Sequence, residues 1–171
     1  MTSKDAIGSA IRMSLHMTHW LVSDFADADM FERATPDTNH AAWILGHLVI
    51  SEIGQGATIG AEPILLPDGF REKHLGGIAT AAKKTEWNCT DNPGDFWPKE
   101  TYLNLLDQTR AETIKALDRT SEETLESPTP GPMARIAPRL LDMMVMIGLH
   151  QSFHTGQISA IRRKLGKPVL F

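Results

Sequence analysis

The chain has 171 residues, 42 % of them hydrophobic and 22 % charged, enough for one domain with its own core. A formal charge of −4 and a pI near 5.9 exclude the broad basic field that holds nucleic acid. No apolar run approaches the ~20 residues of a membrane span, and the opening MTSKDAIGSAIRMSLHMTHW has neither the apolar core nor the cleavage pattern of a signal peptide.

A lone cysteine, Cys89, rules out an internal disulfide and fits a reducing compartment, so the expected location is the cytoplasm. In chain order, the first helical pattern runs from about Lys4 to Phe25. Its stripe of Ile7, Ile11, Ser14, Thr18, Leu21 and Phe25 is spaced by fours and threes, the period of a helix with one buried face. A second helix follows the polar Asp37 to Asn39, a cap signal, with Trp43, His47, Ile50 and Gly54 on one stripe.

Between Gly60 and Lys99 the periodicity is weak. The segment carries Trp87, Phe96 and Trp97 and predicts only a short helix near Phe70 to Lys84. A connection of this length in a compact domain is usually functional or a dimer contact. A third helix begins near Glu100, with Leu103, Leu106, Thr113 and Leu117 on one face, and ends before Thr120. There TSEE, from Thr120 to Glu123, offers a capping box and a further short turn.

SPTPGP at 127–132 breaks the chain. The fourth helix runs from about Pro138 to Leu165, closed by Gly166 and Pro168, the residues that favour helix C-termini. Leu140, Met144, Ile147, Gln151, His154, Ile158, Ile161 and Leu165 repeat every four and three residues along it, the seam of a bundle whose helices cross at roughly 20°. Arg162, Arg163 and Lys164 fall in its last turn, where cations complement the helix dipole. Met143, Met144 and Met146 read as core filler. The expected architecture is all-α: a single antiparallel four-helix bundle over residues 1–171, with a long connection between the second and third helices.

His150 and His154 stand four apart on the fourth helix, so their Cβ atoms lie about 5–6 Å apart, near enough to share one ion. Alone, the pair fits either two satisfied core histidines or two metal ligands. His47, on the apolar stripe of the second helix, supplies a third imidazole where bundles build metal sites from facing helices. Buried imidazoles need hydrogen bonds or a metal, and three nitrogens with an open position form a catalytic rather than a structural ligand set. HQSFH is not the zincin pattern, because Gln151 stands where a glutamate base would be.

Glu52, five residues beyond His47, lies about 140° round the helix and points away from the site. No general base is evident. Gln157, like Gln151, is a candidate to hydrogen-bond a ligand or bound water from behind, and Gly156 is expected to let a neighbouring helix approach. His16, His19, His40 and His74 are weaker candidates: His19 flanks the first stripe, and His40 is expected at the rim. Cys89 has no placed basic neighbour to activate it.

WILGHL in the second helix, and HxxxHxGQI followed by RRxLG in the last, resemble the DinB-like superfamily, DinB- and YfiT-like metalloenzymes built as four-helix bundles. Residues 99–130 are similar to that family's third helix and following loop. The resemblance implies a divalent metal, zinc or nickel, on His47, His150 and His154, a homodimer, and a low-molecular-weight thiol such as mycothiol or bacillithiol as cosubstrate. It therefore implies a metal-dependent, thiol-dependent S-transferase acting on a small electrophile, with no nucleic-acid or membrane partner. The alternatives are a metal-dependent hydrolase and a non-catalytic, stress-related binding module of the same fold.

Overall fold

The computed structural model describes residues 2–75 and 92–170. Helix α1 (Ser3–Val22) starts at a capping box, in which the Thr2 hydroxyl accepts from the Asp5 N–H at 3.2 Å and the Asp5 carboxylate accepts from the Thr2 N–H at 2.8 Å. Its predicted stripe from Ile7 to Leu21 is buried. Phe25, placed by the periodicity at the helix end, is buried in the turn three residues beyond that end.

Helix α2 (Ala41–Ala57) is capped by His40, whose Nδ1 accepts from the Trp43 N–H at 3.1 Å. His40 is fully buried between Phe31 and Phe96. It is thus a cap and core residue, not the rim residue the sequence suggests. Every residue from Ala41 to Ile50 is buried, as expected of a helix that is apolar all round, whereas Gly54 is exposed.

Helix α3 (Phe70–His74) packs on α2. Of the short helix expected over 70–84, the described part is Phe70–His74, and Leu75 is already extended; residues 76–91, with Trp87 and Cys89, lie outside the described residues. Helix α4 (Lys99–Arg119) buries Tyr102, Leu106, Thr113 and Leu117, with Leu103 at the edge. The Thr120 hydroxyl closes it by donating to the Ala116 carbonyl at 2.8 Å. Ser121, one residue later than the capping-box reading, caps α5 (Glu122–Leu125).

Helix α6 (Leu140–Lys164) begins where Asp142 accepts from the Arg139 N–H at 3.0 Å. Gly166, at φ 68°, ends it. The Lys167 N–H reaches the Arg162 carbonyl and the Gly166 N–H that of Arg163, the paired bonds of a Schellman motif. Arg162 does more than meet the helix dipole. It is 2 % exposed and its guanidinium donates to the carbonyls of Leu21 and Pro168 and to Asp24. The α6 stripe is buried throughout, with Leu165 half-buried at its end.

These four long helices form a bundle in which α1 packs on α4 and α6, and α2 packs on α4 and α6. Cross-contacts fix the directions. Lys4 reaches Asp118 and His19 reaches Asp107, so α1 and α4 are antiparallel. His47 meets His150 while Trp43 shares a pocket with Gln157, so α2 and α6 are antiparallel. Ser14 meets Gln151 while Leu21 meets Arg162, so α1 and α6 run parallel.

Glu52 meets Arg110, and Gly56 lies against Thr113, so α2 and α4 are parallel too. Parallel neighbours joined in sequence need a connection that returns the full length of the helix, about 25 Å for the 17 residues of α2. Residues 58–75 make that return, bringing His74 back beside Gly46.

The core lies in two apolar clusters. One holds Leu21, Phe25, Trp43, Leu48, Phe70, Tyr102 and Ile161; the other holds Ile7, Ile11, Leu117, Leu140, Met143 and Met144. Between them runs a buried polar layer of Ser14 and Thr18 from α1, Glu52 from α2, Arg110 from α4 and Gln151 from α6. Among the described residues the only β feature is an isolated bridge between Pro128 and Arg139, and no helix is long and apolar enough to cross a membrane.

Candidate metal centre

Antiparallel packing of α2 on α6 sets His47 opposite the two imidazoles that α6 presents one turn apart. His150 Nε2 lies 3.3 Å from His47 Nε2 and 3.1 Å from His154 Nε2. One ligand nitrogen from each ring falls within 4.8 Å of the others. A tetrahedral ion with metal–nitrogen bonds of about 2.0–2.1 Å holds its nitrogens about 3.3 Å apart, so the spacing fits a small divalent cation.

The donors also suit a metal. The Gln157 carbonyl oxygen lies 3.0 Å from His154 Nδ1 and accepts a hydrogen bond from its N–H, leaving a lone pair on Nε2. Burial pushes the His47 pKa down to about 4 and the His150 pKa to about 3, each helped by the neighbouring imidazoles. Burial lowers His154 as well, against the opposing hydrogen bond to Gln157. At neutral pH the three rings are therefore neutral, the form that coordinates. Three lone pairs facing one another repel unless a cation or a proton lies between them.

The trio forms the floor of a pocket of about 370 Å³. Trp43 lies flat on His47, centroids 4.8 Å apart and planes at 8°, and closes one side. Phe153, 68 % exposed, stands edge-on to His154. Asp37, Thr38 and Asn39 form the remaining lip. The side chain of Ser51, one turn beyond His47, brings its hydroxyl to 3.4 Å of His47 Nε2.

The other sequence candidates fall elsewhere. Gln151 turns away from the imidazoles: its oxygen accepts from Ser14 at 2.9 Å and Arg110 at 2.6 Å, and its amide donates to Thr18 at 2.8 Å. Glu52 is buried against Arg110, at 2.6 and 2.8 Å, away from the pocket as its helical position predicts. His16 is exposed, and His19 pairs with Asp107 at 2.8 Å on the surface. A Cβ at Gly156 would meet no described atom within 4 Å, so the close helix approach expected there is not what this glycine provides.

Asp37, Ser51, Trp43 and Phe153 are neighbours that sequence reasoning did not assign. Ser51 and Trp43 stand four residues either side of His47, a helical spacing that flags both. Asp37 and Phe153 carry no such signal.

The bundle and its convergent histidines define a class: helical proteins with a three-nitrogen centre between two facing helices, open to a pocket. The profile of the DinB superfamily matches residues 10–158. The chain belongs to that superfamily. The crystal structure of a conserved protein from Enterococcus faecalis shares its fold, with a TM-score of 0.72 at 17 % identity, over 98 % of this chain and 99 % of the other. No curated protein matches the chain.

Proposed function

We propose that the protein is a metal-dependent enzyme in which His47, His150 and His154 hold a divalent ion, zinc or nickel, and that it transfers a small thiol to a small electrophile. The carrying observation is the convergence of three neutral Nε2 atoms at the floor of an open pocket. Such an ion, when bound, acts as a Lewis acid and keeps a coordinated thiol deprotonated. The chain's own residues supply the rest. Gln157 fixes the His154 ring through Nδ1, and Trp43 holds His47 by stacking.

Phe153 and the 37–39 lip stand where a substrate would contact the protein. In the transfer the sulfur forms a bond to the electrophilic carbon, and the leaving group departs with the bonding pair. The choice of thiol over water rests on family resemblance, as do a homodimer and a cytoplasmic setting rich in small thiols. Hydrolysis is the second reading. It is favoured by Asp37, the one carboxylate among the described pocket residues, which is available as a proton acceptor.

Elemental analysis of tag-free protein beside His150→Ala tests the site. Near-stoichiometric zinc or nickel in the native chain, lost in the variant, is expected. Turnover of a thiol with an electrophile only in metal-loaded protein then supports the transferase. Loaded protein inactive with thiols but active on an ester or amide would select the hydrolase. Metal absent from both proteins after reconstitution would overturn the reading.

A further inference from the structure

His74 has no place in the proposed reaction, yet it is a fully buried histidine beside a candidate ligand. Both ring nitrogens are engaged: Nδ1 donates to the Phe70 carbonyl at 2.8 Å, and Nε2 lies 3.3 Å from the Tyr102 hydroxyl. Phe70, Trp97 and Tyr102 pack around the ring, with centroids 4.3, 5.7 and 5.5 Å away. Its open face rests on α2 at Gly46, where a Cβ would land inside the His74 ring. Gly46 has an ordinary helical φ, since the positive-φ glycines are elsewhere; it is a glycine because the imidazole occupies the space a side chain would need.

The next residue is His47. Its Nδ1 is buried with no hydrogen-bond partner among the described residues. Ligating histidines generally hold their second nitrogen on a carbonyl or carboxylate, and this fixes the tautomer and the aim of the ring.

We propose that His74 is a positioning residue for His47. Its ring seats α2 at Gly46 and so fixes the aim of the adjacent His47 ring, whose buried Nδ1 keeps the proton while Nε2 faces His150 and His154 bare. The proposal rests on the metal reading, but its first test needs no metal.

Imidazole ¹⁵N shifts in metal-free protein report the His47 tautomer. The Nδ1–H form is expected in the native chain and a mixture of tautomers in His74→Ala. Zinc affinity, measured by chelator competition, is expected to fall about tenfold or more in His74→Ala and in Gly46→Ala, the usual cost of losing an outer partner. In Gly46→Ala/His74→Ala the new methyl fits the vacated space, and affinity recovers toward native.

Thermal melts run alongside separate this from unfolding, because a purely structural residue would change the melt and leave the tautomer alone. If His74→Ala does not fold, His74→Asn, which keeps a donor for Phe70, replaces it. An unchanged tautomer, or zinc affinity within twofold of native in both single variants, overturns the proposal. Failure of the native chain to take up zinc overturns the metal reading separately, and the tautomer then decides the role of His74.

Discussion

His154 shows how a single side chain sets the chemistry of a nitrogen. With Gln157 Oε1 at 3.0 Å from Nδ1, the ring keeps its proton on the outer side and its lone pair inward. Gln157→Leu keeps the volume but removes the acceptor, so His154 becomes free to adopt the tautomer that points N–H at His150. Zinc affinity is expected to drop about tenfold, within the range for outer-shell partners, while the melting temperature stays near native because Gln157 is only half-buried. Chelator competition and a thermal melt on the same preparation check both halves; an unchanged affinity would remove Gln157 from the site.

This residue was legible in the sequence, since it lies three positions after its partner on one helix. Gln151 was not. Its partners Ser14, Thr18 and Arg110 sit on two other helices, and nothing local in HQSFH distinguishes a glutamine facing a metal from one facing a polar layer.

Between elements, the strongest tie beneath the site is the Glu52–Arg110 pair, with side chains only 5 % and 4 % exposed. Arg110 donates through Nε and one terminal nitrogen to both carboxylate oxygens, and the same terminal nitrogen also donates to Gln151. It thereby joins α2, α4 and α6 at the level just behind the histidines. Removing one partner of a buried pair strands the other charge, so Arg110→Met is expected to cost about 3–5 kcal/mol. Replacing both, Glu52→Leu with Arg110→Met, is expected to recover most of that loss. Urea titrations of the two single variants and the double measure the coupling; a double variant as unstable as the sum of the singles would show that the charges do not act together.

The buried stripes of α1 and α6 were readable residue by residue, because helical periodicity depends only on burial. The order of the helices around the bundle was not. Parallel α1–α6 and α2–α4 contacts present the same stripes as antiparallel ones, and only long-range pairs such as Glu52 with Arg110 fix the directions. His40 and His74 were equally hidden, since a capping or wedging histidine is defined by partners that the periodicity does not name.

For the whole molecule, four histidines whose pKa desolvation lowers make acid the natural stress. Burial lowers the pKa of His47 and His74 to about 4 and of His150 to about 3, and lowers His154 as well. In the unfolded chain each imidazole titrates at its ordinary value of 6.5. Between that value and about 4 the unfolded state therefore binds more protons than the folded one, so unfolding free energy falls as pH falls. For His74, buried and outside the ligand set, the drop from 6.5 to about 4 corresponds to about 3 kcal/mol. That contribution is fully present above pH 6.5 and is lost on going down to about 4.

The carboxylates Asp24 and Asp142, held low by Arg162 and Arg139, lose their contribution only at more acidic pH, so the two effects separate along the pH axis. A ligand bound only by the folded state adds stability, about 2.7 kcal/mol at a free concentration of 100 times its Kd. Because protons compete for the same nitrogens, the increment from zinc is expected to shrink as pH falls. Urea midpoints at pH 7.5, 6 and 5, with and without zinc, should show the metal-free protein weakening steadily and the zinc increment narrowing with it. A metal-free midpoint constant over that range would mean that these imidazoles take up protons as readily in the folded chain as in the unfolded one, and the neutral three-nitrogen centre would fall with it.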